Sequence, residues 1–503
     1  MNSAWQSLIL LFSISFIIYH FISAKFRWIF LLVISLIFLF IVSGPLCSIY
    51  TLIFVLISYT GAYYISKAYT EKSKNRILIL TILALFAGLL LFKFTKIIIP
   101  VNTLIGNFFN IPTKFVDDII VPIGISYYTL ILVAYVVDVY RKVTVVETNF
   151  FKYLLFAIYF PQLLMGPIVR HNDTKDQFIS QKPIDYSSIQ FGILRILWGI
   201  FKKIVIADRI AAVVSAIFVR SIAAQPTIFL VIGILLFGFQ LYADFSAAMD
   251  IVLGISECFG IKLPENFRNP YFSTSFHQYW QRWHITIFTF YRDYIFYPVL
   301  RSKFVMSLKD NLKKHSKTNA EHIPVFISYM VVWLFAGVWH GLSLKLMFGT
   351  CFLPCIYLIL TDIVHDYTKK LYKKYKFIQH NLIYRILQMI GVYFLLCLVY
   401  VFFIVSNIQE GFYILFRIFT NFNTNLNINF FSINDLLIIP VGIILLIIVD
   451  IIKENKIDIK SIYTNKIPVI FHWVTLLILI TIILAFGIYG PDYNPTDFVY
   501  AQF

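Results

Sequence analysis

The chain has 503 residues, of which 60% are hydrophobic, 18% aromatic and only 13% charged. Soluble domains run near 45–50% apolar and about 25% charged, so a soluble globular protein, a disordered chain and a fibrous protein are excluded together. Lys and Arg outnumber Asp and Glu by 42 to 25, a formal +17; at this apolar content the excess reads as cytoplasmic loops of a membrane protein and not as a nucleic-acid footprint.

A spanning helix needs about 20 apolar residues to cover about 30 Å of hydrocarbon. Apolar runs of suitable length cover residues 5–22, 28–42, 47–65, 77–99, 119–139, 153–168, 189–206 and 228–245. Further on they cover 285–300, 323–340, 346–364, 382–406, 436–452 and 468–489. This pattern predicts an all-α polytopic membrane protein with roughly 11–14 membrane helices. Short runs such as 153–168 and 285–300 are expected to stop partway. No basic residue precedes the first run, since Met1–Gln6 carries none, so that run is expected to stay as a helix and not to be cleaved as a signal. There is no internal repeat and no soluble domain, and the longest polar stretch, 303–322, is loop-sized.

The basic residues orient these runs. Lys25 and Arg27, the cluster 67–76, Arg141 and Lys142, and the stretches 301–317, 369–376 and 453–466 are assigned to the cytoplasm. The cation-poor stretches 102–118 and 407–434 and the tail from Gly490 are assigned to the other side. Both termini then come out extracytoplasmic, while the orientation of 150–281 stays open. The five cysteines lie mostly in apolar stretches and imply no disulfide framework. Cys351 and Cys355 read as packing residues.

Ionisable groups at membrane depth are costly unless paired or used, and three blocks contain them. The first joins Asp138-Val-Tyr-Arg141 to Pro161-Gln-Leu-Leu-Met-Gly-Pro-Ile-Val-Arg170. Its charges can sit at helix ends, snorkelling to water, or at a site. Gly166-Pro167 breaks a helix, which membrane depth tolerates only inside protein or beside a water cavity. The second block centres on Asp244, which follows a long apolar run and calls for a cation such as Lys202, Lys203 or Arg209. The third runs from Asn266 through Trp280-Gln-Arg282-Trp283-His284 to Arg292-Asp293. A helical reading puts Trp280 and His284 on one face. Later, Trp339-His340-Gly341 presents a second histidine, with Gly337 and Gly341 leaving room for a substrate or a second backbone. A lone histidine on an apolar helix is more often a packing residue than a catalyst. Two in aromatic, glycine-flanked settings point to proton transfer at neutral pH. No third ligand at helical spacing supports a metal site, and no G-x-S-x-G elbow is present.

At these blocks the sequence resembles the membrane-bound O-acyltransferases, in the bacterial branch that acetylates alginate and other cell-envelope polymers. The resemblance runs in order through Val121-Pro-Ile-Gly-Ile-Ser-Tyr-Tyr-Thr129, Asp138-Val-Tyr-Arg141, Phe160–Arg170, Gly199–Arg209 and Tyr242-Ala-Asp-Phe-Ser246. It continues through Leu263-Pro-Glu-Asn-Phe267, Trp280–His284, Arg292-Asp293, Gly337–Gly341 and the closing Phe498–Phe503. A glycine-rich segment usual in that branch after Arg-Asp is replaced here by the lysine-rich 301–322.

The resemblance implies one membrane-embedded acyltransferase domain over 1–503, with a family-like core at about 120–345 and flanking helices at 1–119 and 346–503. Its helices would enclose a central funnel in the bacterial cytoplasmic (inner) membrane. It maps the two family histidines onto His340, the principal catalytic residue, and His284. Asn266, Arg282, Trp280, Asp244 and Trp339 are the candidate substrate- and donor-binding residues, and Asn266 or Arg282 is the expected polariser of the carbonyl. No bound cofactor or metal is expected. The implied donor is acetyl-CoA or another acyl thioester, and the implied acceptor is an envelope polysaccharide or lipid-linked sugar. A periplasmic acetyltransferase partner is common in the branch. Two alternatives stay open: D-alanyl transfer to teichoic acid, and, outside enzymes, a polysaccharide or lipid transporter, although no repeated halves with paired broken helices are seen.

Overall fold

A computed structural model describes residues 3–93, 122–180, 185–219, 222–375, 381–424, 432–489 and 498 of the chain. Among these residues the regular structure is entirely helical. Nine of the described helices are long and apolar enough to cross a membrane. They are Ala4–Phe21, Ala24–Lys67, Glu71–Phe92, Thr227–Cys258, Lys317–His340, Leu344–Lys369, Leu382–Ile404, Ile433–Glu454 and Val469–Phe486. The chain is an all-α polytopic membrane protein. The stretch 102–118, the end of the run 77–99 and the closing motif apart from Phe498 lie outside the described residues.

The runs expected at 28–42 and 47–65 share one helical segment, Arg27–Lys67, interrupted at Gly44 with φ 73° and ψ 168°. Its 41 residues would extend about 60 Å if straight, twice the hydrocarbon thickness. It is not straight. Ser48 Oγ donates to the Leu39 carbonyl at 3.2 Å, although nine residues of straight helix would separate them by about 13 Å. The chain therefore turns back on itself at Gly44-Pro45, where glycine accepts the left-handed φ and proline starts the returning arm.

Of the two short runs, 153–168 is broken. Helix Phe150–Ile158 ends near the start of the short Phe160–Leu163 turn, and the chain is irregular from there to His171. All residues from 159 to 169 are buried, which meets the condition for broken helix at membrane depth. The run 285–300 stays helical throughout, as Ile285–Tyr291, a wider π-type stretch at Arg292–Phe296, and Tyr297–Leu300.

By packing, the chain forms two compact units, Met1–Ile193 with Val252–Pro264, and Leu194–Ile251 with Glu265–Phe503. In the first, Asp138 is buried and meets Arg170 at 3.5 Å. In the second, helix Val469–Phe486 exposes Trp473, Leu477 and Leu484; a helix apolar all round with exposed side chains suits contact with lipid. Helix Thr227–Cys258 is the opposite case. Two thirds of its membrane window (67%) is buried, against 11% for Val469–Phe486, so Gln240, Asp244, Ser246 and Asp250 lie within protein.

Candidate active site

His340 is the last residue of helix Lys317–His340. The helix starts at Ser316, whose hydroxyl accepts from the Asn319 N–H, and Gly341 at φ 146° ends it. The His340 ring lies edge-on to Phe403 at 6.5 Å between centroids, and Trp339 stacks on Phe335 at 6.2 Å. The room at Gly337, expected for a substrate or a second backbone, is filled by side chains. A Cβ there would stand 2.6 Å from Cys351 Cβ and 3.0 Å from Met347 Sδ, both in the π-type turn Met347–Phe352. Gly337→Ala is expected to destabilise the fold by about 1–3 kcal/mol through overpacking one turn from His340. A lowered thermal midpoint in detergent checks it, and an unchanged one counts against the close contact.

His284 reaches the site differently. Helix Phe276–Arg282 begins at Ser275, whose hydroxyl accepts from the Gln278 N–H, and it ends before His284. Trp283 is extended, and His284 is left-handed at φ 45° and ψ 52° before helix Ile285–Tyr291. The reading of Trp280 and His284 as one helical face is therefore corrected. Residues 266–268 pair with the break: Arg268 N–H donates to Arg282 O, and Ile285 N–H to Asn266 O, both at 2.9 Å. These bonds replace helical ones and hold a backbone conformation costing about 1–3 kcal/mol for a non-glycine residue.

The His284 ring is 4% exposed and packs edge-on to Phe245 at 4.7 Å. It lies outside the nine membrane-length helices. Burial, and after it the charge of His340, holds its pKa well below the usual imidazole range. Burial thus favours the neutral form of the His284 imidazole. Asn266 is fully buried, and its Oδ1 faces the His284 Nδ1 at 3.4 Å.

The other candidates occupy the frame. Arg282 donates to both carboxylate oxygens of Glu454, at 2.8 and 3.1 Å. Trp280 packs between Trp333 at 4.9 Å and Phe288 at 4.7 Å. Asp244, one residue before Phe245, pairs with Lys203 at 2.7 Å. Among the described residues, no group of three or more His, Cys, Asp or Glu is placed to hold a metal ion.

Residues 45–309, just over half the chain, match the model of MBOAT, the membrane-bound O-acyltransferase family. The chain belongs to this family. His284 lies inside the matched stretch and His340 beyond it. The chain is similar to the probable alginate O-acetylase AlgI of Azotobacter vinelandii, with 31% identity covering 50% of this chain and 46% of the relative. It is similar to the peptidoglycan O-acetyltransferase of Helicobacter pylori at 31%, covering 44% of each. It is also similar to the teichoic acid D-alanyltransferase of Bacillus subtilis at 27%, covering 55% of this chain and 66% of the relative. The chain spans about half the length of the alginate and peptidoglycan relatives it matches.

Sequence reading anticipated a cation for Asp244 but missed the network around it in this acyltransferase-family chain. Lys203 also pairs with Asp208 at 2.8 Å, and its ammonium sits 4.4 Å from the Phe498 ring centroid. Lys202 binds Asp250 at 2.6 Å and Ser246 at 2.7 Å, and Arg195 binds Asp250 and Glu265. Tyr242 donates to Asp450 at 2.8 Å. The signal was two adjacent lysines at the end of an apolar run, together with Asp450 and Glu454 closing another.

Proposed function

We propose that the chain works as one membrane-embedded O-acyltransferase, moving an acetyl group from a cytoplasmic acyl thioester to hydroxyls of an extracytoplasmic polysaccharide. The membrane is the bacterial cytoplasmic one, and the expected donor is acetyl-CoA or another acyl thioester. The observation that carries this reading is the match to a family whose bacterial relatives include O-acetyltransferases, in a chain whose buried His284 is held against Asn266. His340 takes the hydroxyl proton as the alcohol oxygen attacks the thioester carbonyl. The tetrahedral oxyanion then collapses, the C–S bond breaks, and the proton returns to the departing sulfur. His340 ends a helix, where the partial negative charge favours the imidazolium formed in passing. His284 orients the acceptor through a neighbouring hydroxyl, while Asn266 and Arg282 serve from the surrounding frame instead of polarising the carbonyl. Asp244, Trp280 and Trp339 shape the walls of the donor and acceptor paths.

The similarity to the Bacillus subtilis enzyme favours one second reading, D-alanyl transfer to teichoic acid from a thioester carrier. Mass spectrometry of envelope glycans from cells carrying the wild-type chain or His340→Ala separates the readings. Ester-linked acetate that disappears in the variant is the expected result. Ester-linked D-alanine would move the assignment to the second reading. Glycan export with no acyl product would overturn both in favour of a transporter.

A further inference from the structure

The strained residue of the site, His284, is held by one neighbour through two different groups. Asn266 contributes its backbone carbonyl, which accepts from the Ile285 N–H, and its side chain. Which end of that side-chain amide faces His284 follows from Thr286. Its backbone N–H, at 3.0 Å, can only donate, and its hydroxyl lies at 2.7 Å from the same atom. The atom is therefore the oxygen. The other end agrees, because Nδ2 donates towards Met249 Sδ at 3.0 Å. A bare imidazole nitrogen facing this oxygen would set lone pair against lone pair. The His284 Nδ1, 3.4 Å away, must then carry the proton.

We infer that Asn266 is the positioning residue for His284, fixing its backbone break and holding its imidazole as the Nδ1–H tautomer, with the basic lone pair on Nε2. The inference rests on the acyltransferase reading only for its consequence. An Nε2 lone pair can accept from a neighbouring hydroxyl of the acceptor and orient it, leaving the proton of the attacking hydroxyl to His340. Asn266 touches no reacting atom and works through His284.

Two measurements test this, one of which needs no activity. Purified protein labelled with ¹⁵N-histidine, in bilayers near neutral pH, is compared with His284→Gln to assign the His284 nitrogens among the ten histidines. The expected spectrum shows a protonated Nδ1 and a bare Nε2, and Asn266→Ala mixes the tautomers. A wild-type His284 protonated at Nε2 overturns the inference, whatever becomes of the variants and of the function. In transfer assays with membrane protein levels matched, Asn266→Ala should lower kcat by about tenfold or more. The Asn266→Ala, His284→Ala double variant should then be no slower than His284→Ala, within about twofold, because residues acting as one unit are not additive. Independent, additive losses overturn the positioning role. A wild-type chain with the expected tautomer and no acyl product would instead overturn the acyltransferase reading and leave the tautomer assignment standing.

Discussion

His340→Ala is expected to abolish acyl transfer in membranes that keep normal amounts of the protein. General acid–base groups supply about 10²–10⁴ in rate, so activity within about tenfold of wild type would overturn the base assignment. His340 is only partly buried and ends its helix at a glycine. Alanine should therefore cost the fold little, and lost activity can be read as lost chemistry. The same role predicts a pH profile. The base acts as neutral imidazole, so activity should fall towards acid pH, and a flat profile from about pH 5 to 8 would count against it. Burial pushes the His284 pKa down, away from that window.

The largest structural effect is expected from Lys203→Met. Lys203 stands between Asp244 and Asp208, with all three side chains at most 3% exposed. Removing the shared cation leaves two buried carboxylates facing each other. Breaking a buried pair in this way costs about 3–5 kcal/mol, a large part of the margin of most folds. The variant should accumulate poorly in membranes and melt well below wild type in detergent. Adding Asp244→Leu and Asp208→Leu should recover most of the loss, since apolar replacement of a whole buried ion cluster is often neutral. Wild-type melting of the single variant would show that water reaches these groups.

Much of this was legible in the sequence, for identifiable reasons. Hydrocarbon thickness fixes helix length, so the long apolar runs mapped onto membrane-length helices. Charge at membrane depth is costly, so Asp244 announced that a cation must lie near it. Periodicity failed at His284, because nothing in Gln-Arg-Trp-His signals a left-handed residue. That conformation is imposed by residues 266–268, which pair across the break from a distance in sequence. Asn266 was legible as a polar residue at an important place, but the chemistry of its two ends depends on Thr286 and Met249. Similarly, Gly337 offered space on paper, and the structure fills it with Cys351 and Met347.

The reversal at Gly44-Pro45 bears on how sidedness is counted. A hydropathy count that takes Arg27–Lys67 as one long crossing places Lys25 and Lys67 on opposite faces and inverts every later assignment. Two passes joined without a loop return Lys67 to the face it left, consistent with both basic clusters sharing one compartment. Such a turn also offers almost nothing for a protease or an impermeant label to reach. Accessibility mapping would therefore be silent between those lysines, and that silence would record a double crossing.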